Sequence, residues 1–190
     1  MKTFLFGALF IFPLSLSSQI KSSSKFINLS FINQKVGFVD LELNYQYRSV
    51  NLEYSQYNAL VYKPNYSIVW DLNPQFGITS VKEDRNLENG RSGIEVAFLF
   101  GLAIEISMIP KSWRLYLGGA IGPQYISQAP MRQKTGFLFS DNLFIGSKLK
   151  LSKQIFDLRI GFRHQSNASI GEPNGGINSF FIKGGFPLNN

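Results

Sequence analysis

The chain has 190 residues, 44% hydrophobic and 16% charged, with no cysteine and one histidine; this is the length of one domain, with less charge than the roughly 25% usual in soluble proteins. The lack of cysteine excludes disulfides, a thiolate nucleophile and thiolate metal sites, and a lone imidazole, His164, is too little for a typical zinc or haem centre, so no metal or cofactor is expected. The formal charge of +7 is scattered rather than clustered, so an acidic surface or a membrane interface suits it as well as nucleic acid would, and no nucleic-acid partner is expected.

Residues 1–17 combine a basic start at Lys2, an apolar run from Phe4 to Leu16, and small residues at Ser15 and Ser17. This pattern predicts a secretory signal peptide cleaved near Ser17. A membrane anchor fits less well, because the run is shorter than the roughly 20 residues a spanning helix needs and Pro13 interrupts it. Residues 18–34 are then expected as an N-terminal periplasmic segment and 35–190 as the folded domain. The longest later apolar run, Val96 to Ile104, is bracketed by Glu95 and Glu105 and is too short to cross a bilayer as a helix.

Beyond residue 35 the dominant signal is two-residue alternation, which predicts strands with two chemically different faces. About eight are expected, near 36–47, 50–62, 65–78, 92–107, 113–126, 135–149, 154–167 and 177–188. In the first, Val39, Leu41, Leu43, Tyr45 and Tyr47 oppose Asp40, Glu42, Asn44, Gln46 and Arg48. The second falters after Val50, Leu52 and Tyr54. The third sets Tyr66, Ile68, Trp70 and Leu72 against Ser67, Val69, Asp71 and Asn73. The fourth is the clearest, with Ile94, Val96, Phe98, Phe100, Leu102, Ile104 and Ile106 on one face and mostly small or charged residues on the other.

A soluble lipid-carrying barrel would show the same alternation with its apolar face turned inward. Long strands, 15% aromatic residues and a small or charged second face favour an all-β, eight-stranded antiparallel transmembrane barrel of a Gram-negative outer membrane. Short links at Met108–Lys111 and Lys150–Lys153 are expected on the periplasmic side. Long links at Thr79–Arg91, Ser127–Lys134 and Ala168–Gly176 are expected outside. A two-residue outer link at Arg48 and Ser49 is out of keeping with that scheme. Lys111, Arg114, Arg132, Lys134, Lys153 and Arg163 lie near strand ends, where they would snorkel to the interface or, on the outer side, meet lipid phosphates.

The seventh strand places Phe156, Leu158, Ile160, Phe162, His164 and Ser166 on one face and Asp157, Arg159, Gly161, Arg163 and Gln165 on the other. His164 and Ser166 therefore point toward lipid at the outer rim, where a polar pair has no packing purpose and a lipid ester is within reach. On a strand, a histidine and a serine are ordinarily structural; it is their setting that suggests ester chemistry.

The segment Arg163-His164-Gln165-Ser166-Asn167-Ala168, followed by Pro173-Asn174-Gly175-Gly176-Ile177-Asn178, resembles the His-x-Ser-Asn-Ala motif of the lipid A 3-O-deacylase (PagL-like) family of eight-stranded outer-membrane barrels. Arg132-Gln133 and Gly136-Phe137-Leu138-Phe139-Ser140-Asp141 extend the similarity upstream. The resemblance implies an outer-membrane serine esterase that hydrolyses an ester-linked acyl chain of lipid A. It makes Ser166 the nucleophile, His164 its general base, and Asn174 with the backbone near Ala168 the oxyanion-binding group. Asn167 falls on the lumenal side by parity and is expected to support the site. A nucleophilic hydroxyl needs a neighbouring base, and the tetrahedral intermediate needs preorganised donors.

Two positions depart from the family pattern. The glycine after the motif's alanine is Ser169, and the acidic third member fourteen residues after the histidine is Asn178. Asn178 can orient a neutral imidazole without stabilising the imidazolium. Outer-membrane phospholipase A is similar in its His-x-Ser with an Asn third member, which keeps phospholipid open as a substrate. Glu172 is an alternative source of a carboxylate. The competing expectation is a small barrel without catalysis. The acyl position cut, calcium dependence and pairing with a second copy as a homodimer stay open.

Overall fold

In the computed structural model, residues 23–36, 39–41, 45–83, 90–108, 112–151 and 154–188 are described; the expected signal peptide at 1–17 lies outside them. Eight strands, β1 (Ser23–Asn33), β2 (Gln46–Tyr62), β3 (Tyr66–Lys82), β4 (Arg91–Ser107), β5 (Trp113–Ile126), β6 (Gly136–Leu151), β7 (Gln154–Ser166) and β8 (Ile177–Pro187), pair antiparallel with their chain neighbours. Pairing of β1 with β8 closes the barrel, so the wall has no open strand edge.

The start of the domain differs from the sequence expectation. Residues 23–33, expected within the periplasmic segment at 18–34, form the first barrel strand, with Asn28 and Ser30 buried inside and Leu29 and Phe31 outside. Of the strand expected at 36–47, the described residues Val36, Val39 and Asp40 form a two-residue ladder with Lys35, and Gln46 and Tyr47 belong to β2. Arg48 and Ser49 lie inside β2, paired with Ser80 and Thr79, so the anomalous short link does not exist. The alternation of β2 falters because polar Gln56 and Asn58 follow Val50, Leu52 and Tyr54 on the same parity, and further on a bulge between Ala59 and Val61 resets that parity against β3. Strands now alternate between long links at one end and short links at the other.

Which face is apolar separates the membrane barrel from the lipid carrier. Ile94, Val96, Phe98, Phe100, Leu102, Ile104 and Ile106 are 43–54% exposed, whereas Glu95, Leu99 and Glu105 are at most 3% exposed. The apolar face is thus outward on β4, and Phe76, Ile78, Leu117, Ile121, Leu143, Ile145, Leu158 and Ile160 continue it around the wall. Such a wall is stable in hydrocarbon and unstable in water.

The lumen is filled rather than open. At one level Arg159 pairs with Asp157 at 3.3 Å and Asp71 at 3.5 Å, beneath the rings of Tyr57, Tyr116 and Phe144, whose centroids lie 5.0, 5.3 and 4.7 Å from its guanidinium carbon. Lys183 pairs with Glu53, and Lys148 and Arg114 pair with Glu105. Arg114 and Arg163, expected to snorkel, point inward instead; each has an interior carboxylate to neutralise it. Tyr45 and Tyr47 are also buried inside, opposite to the expectation, because the face they continue is that of Ser49, Asn51 and Glu53. A cavity of about 20 Å³ remains beside Asp71, Arg159 and Arg163, room for about one water.

Candidate active site

The site forms where β7 and β8 meet the long-link end of the barrel. Parity turns Phe162, His164 and Ser166 outward on β7 and Asn178, Phe180 and Ile182 outward on β8. The register pairs His164 directly with Asn178. Their side chains meet: His164 Nδ1 lies 2.8 Å from Asn178 Oδ1. An amide oxygen only accepts, so Nδ1 carries the hydrogen and the Nε2 lone pair is left for a proton. Ser166 stands two residues along on the same face; its hydroxyl makes no hydrogen bond among the described residues.

The strand behind the imidazole is fixed from inside. Arg163, 2% exposed, donates from Nη1 to Glu95 Oε1 at 2.9 Å and from Nε to Ser140 Oγ at 3.1 Å. Glu95 also accepts from Gln124 Nε2 at 3.2 Å, from Tyr47 and from Asn51. A buried charge with this many partners is over-determined in position, and adjacent His164 inherits that rigidity.

The 167–176 loop caps the site. Asn167 is buried, as its lumenal parity predicts. Its backbone N–H donates to Asn174 Oδ1 at 3.0 Å and its side chain to the Gly171 carbonyl at 2.6 Å. Asn174 Nδ2 reaches Ser169 Oγ at 3.3 Å. Ala168 and Ser169 sit at φ +52° and +64°, the left-handed region where a side chain costs roughly 1–2 kcal/mol, which is the physical reason glycine suits position 169. Glu172 is exposed and accepts from the Asn174 backbone N–H at 3.2 Å; among the described contacts it does not meet His164.

Neighbouring chain then pins the loop. Gly175 N–H donates to the Arg132 carbonyl at 2.7 Å, Lys134 N–H to the Pro173 carbonyl at 2.8 Å, and Gly176 N–H to Gln133 Oε1 at 2.9 Å. Gly176 is at φ +70°, and a Cβ there would stand 2.7 Å from His164 Cε1. Gln133, Gly176 and the Glu95–Arg163 pair are thus site-building residues that alternation alone could not single out. Arg132-Gln133 and the Gly-Gly of the motif were the available signals.

A closed eight-stranded barrel with an apolar outer wall and a filled polar interior is an integral protein of the outer membrane. The profile of the lipid A 3-O-deacylase (PagL) family matches residues 41–187, and the chain belongs to that family. It is accordingly an ester hydrolase that deacylates lipid A. The crystal structure of the outer membrane enzyme PagL superposes with a TM-score of 0.58 at 17% identity, over 88% of this chain and 100% of that one. The Yersinia pestis outer membrane protein Ail, in a phospholipid bilayer nanodisc, gives 0.41 at 11% identity over 88% and 100%. No curated protein matches the chain.

Proposed function

We propose that lipid A deacylation proceeds by serine catalysis, with Ser166 as nucleophile, His164 as general base and Asn178 as the residue that orients the imidazole. The observation that carries this is the 2.8 Å bond from His164 Nδ1 to Asn178 Oδ1 on a lipid-facing wall, which leaves Nε2 basic on the side of the barrel that an acyl ester approaches. Ser166 Oγ attacks the ester carbonyl while its proton passes to Nε2. Collapse of the tetrahedral intermediate expels the sugar oxygen, which takes the proton from Nε2. Water, deprotonated by the same nitrogen, then hydrolyses the acyl-serine to release the fatty acid.

Asn174 and the backbone near Ala168 serve the oxyanion in this scheme, and Asn167 supports them by holding the loop. Arg132 and Lys134 bring positive charge to the same rim, suited to the phosphates of the lipid A head group. The long-link end then faces the cell exterior, after export by a signal peptide at 1–17. Mass spectrometry of lipid A incubated with the purified barrel in detergent tests the scheme: the wild type removes an acyl chain, and S166A and H164N, both folded, leave the lipid intact. Full activity in S166A overturns it.

A further inference from the structure

We propose that the short-link end of the barrel is a docking surface for anionic phospholipid, which Lys25, Lys63 and Lys150 hold at the head-group level of the periplasmic leaflet. The choice of leaflet rests on the orientation proposed above, with the long links outside. The preference for a negatively charged head group stands independently of it.

Accessible charge is segregated along the barrel axis. Among the described residues the carboxylates that are not buried, Asp40, Glu83, Asp141 and Glu172, all lie toward the long-link end, where Glu83 also has Arg91 as a partner. The carboxylates nearest the short links, Glu105 and Asp157, are 3% and 2% exposed. They turn into the lumen, Glu105 onto Lys148 and Arg114 and Asp157 onto Arg159. Lys25 near the start of β1, Lys63 just after β2 and Lys150 near the end of β6 are thus left without an ion pair among the described residues.

These cations are carried on a stiff frame. Lys63 N–H donates to the Tyr66 carbonyl at 2.9 Å and closes the β2–β3 turn. Ser107 N–H donates to the Asn65 carbonyl at 2.9 Å and Lys150 N–H to the Ser112 carbonyl at 2.8 Å, so the short links are bonded to their neighbours. Aromatic residues set the depth. Tyr62, Tyr66 and Trp113 are 61%, 44% and 38% exposed at the same strand ends, and Trp113 Nε1 donates to Ser147 Oγ at 2.6 Å. Such rings settle at the membrane–water interface, so the ammonium groups beside them stand among lipid phosphates. A water-soluble partner would match the cations and leave the aromatic belt unexplained. A zwitterionic lipid brings a cation of its own to the rim, whereas a head group of net negative charge does not and gains roughly fivefold in affinity per lysine at the surface.

The chain has two tryptophans and no cysteine, which gives the test two clean reporters. In W70F the remaining indole, Trp113, stands on this rim. Its quenching by acyl-brominated phosphatidylglycerol and by acyl-brominated phosphatidylcholine in reconstituted vesicles measures how tightly each lipid binds there. Phosphatidylglycerol should bind about fivefold or more tightly, the worth of at least one lysine, and the preference should shrink at about 1 M salt. In W70F/K25Q/K63Q/K150Q, folded by heat-dependent gel mobility, most of the preference should be lost while kcat on lipid A in detergent stays that of W70F. Equal quenching by the two lipids in W70F overturns the proposal, as does a preference unchanged by salt or by the three substitutions. A fallen kcat in the folded variant also overturns it, because the lysines would then serve the substrate. K63C tests the leaflet separately: a membrane-impermeant maleimide should label it only after the outer membrane is permeabilised. Labelling in intact cells overturns the periplasmic placement and the orientation together, whereas periplasmic labelling without a lipid preference sinks the docking surface alone.

Discussion

Replacing Gly176 by alanine tests whether the imidazole of His164 must stay where the fold holds it. The added Cβ would lie 2.7 Å from His164 Cε1, and ordinary contact begins at 3.4 Å, so the ring or the loop must retreat by 0.7 Å. The loop resists, because Gly176 N–H is bonded to Gln133 Oε1 at 2.9 Å. Its φ of +70° adds roughly 1–2 kcal/mol of strain for alanine. The ring is the softer element, and its displacement disturbs the 2.8 Å bond to Asn178. Misplacing a reacting group by about 1 Å costs about 100-fold, so G176A is expected to lower kcat roughly 10- to 100-fold. G184A is the matched control, since a Cβ at Gly184 meets nothing within 4 Å, and it should keep the wild-type rate. Fatty-acid release from lipid A, measured beside heat-dependent gel mobility, reads activity and folding together. A folded G176A enzyme with wild-type kcat would refute the reasoning.

Asn178→Ala removes the acceptor that fixes the imidazole tautomer, and the expected loss in kcat, measured by the same release assay, is substantial yet smaller than that of S166A. Asn178→Glu, which places a carboxylate where the family carries one, should maintain or raise the rate. Glu95→Gln leaves Arg163 buried without its counter-ion, at a cost of roughly 3–5 kcal/mol. Urea unfolding in detergent should show that loss, with deacylation reduced through the loosened β7.

Parity made the decisive part of the site legible. Once β7 and β8 alternate, His164, Ser166 and Asn178 must share the outer face, and the fourth strand alone displays the inside-out character of the wall. The opening of the barrel was harder to see, because β1 buries Phe26 and Ile32 at its ends and Asn28 and Ser30 in between, so its inner face is neither polar nor apolar throughout. The bulge in β2 resets parity near the end of the strand, so no single alternation runs through Gln46–Tyr62. Position alone reads Arg163 as an interfacial residue, because its counter-ion Glu95 lies 68 positions away across the lumen. The pinning of 167–176 by Arg132, Gln133 and Lys134 joins two loops separated by a full hairpin, so alternation within either segment does not show it, and only the resemblance at Arg132-Gln133 and Gly175-Gly176 marks both sides.

The central claim is that Ser166 is the group that becomes acylated. It is tested most directly by treating the folded barrel with a fluorophosphonate, which bonds covalently to an activated serine, and locating the adduct by peptide mass spectrometry. The account predicts a single adduct on Ser166 that is absent in H164N, because without the base the hydroxyl is not activated. An adduct on another residue, or undiminished labelling of Ser166 in H164N, would contradict it.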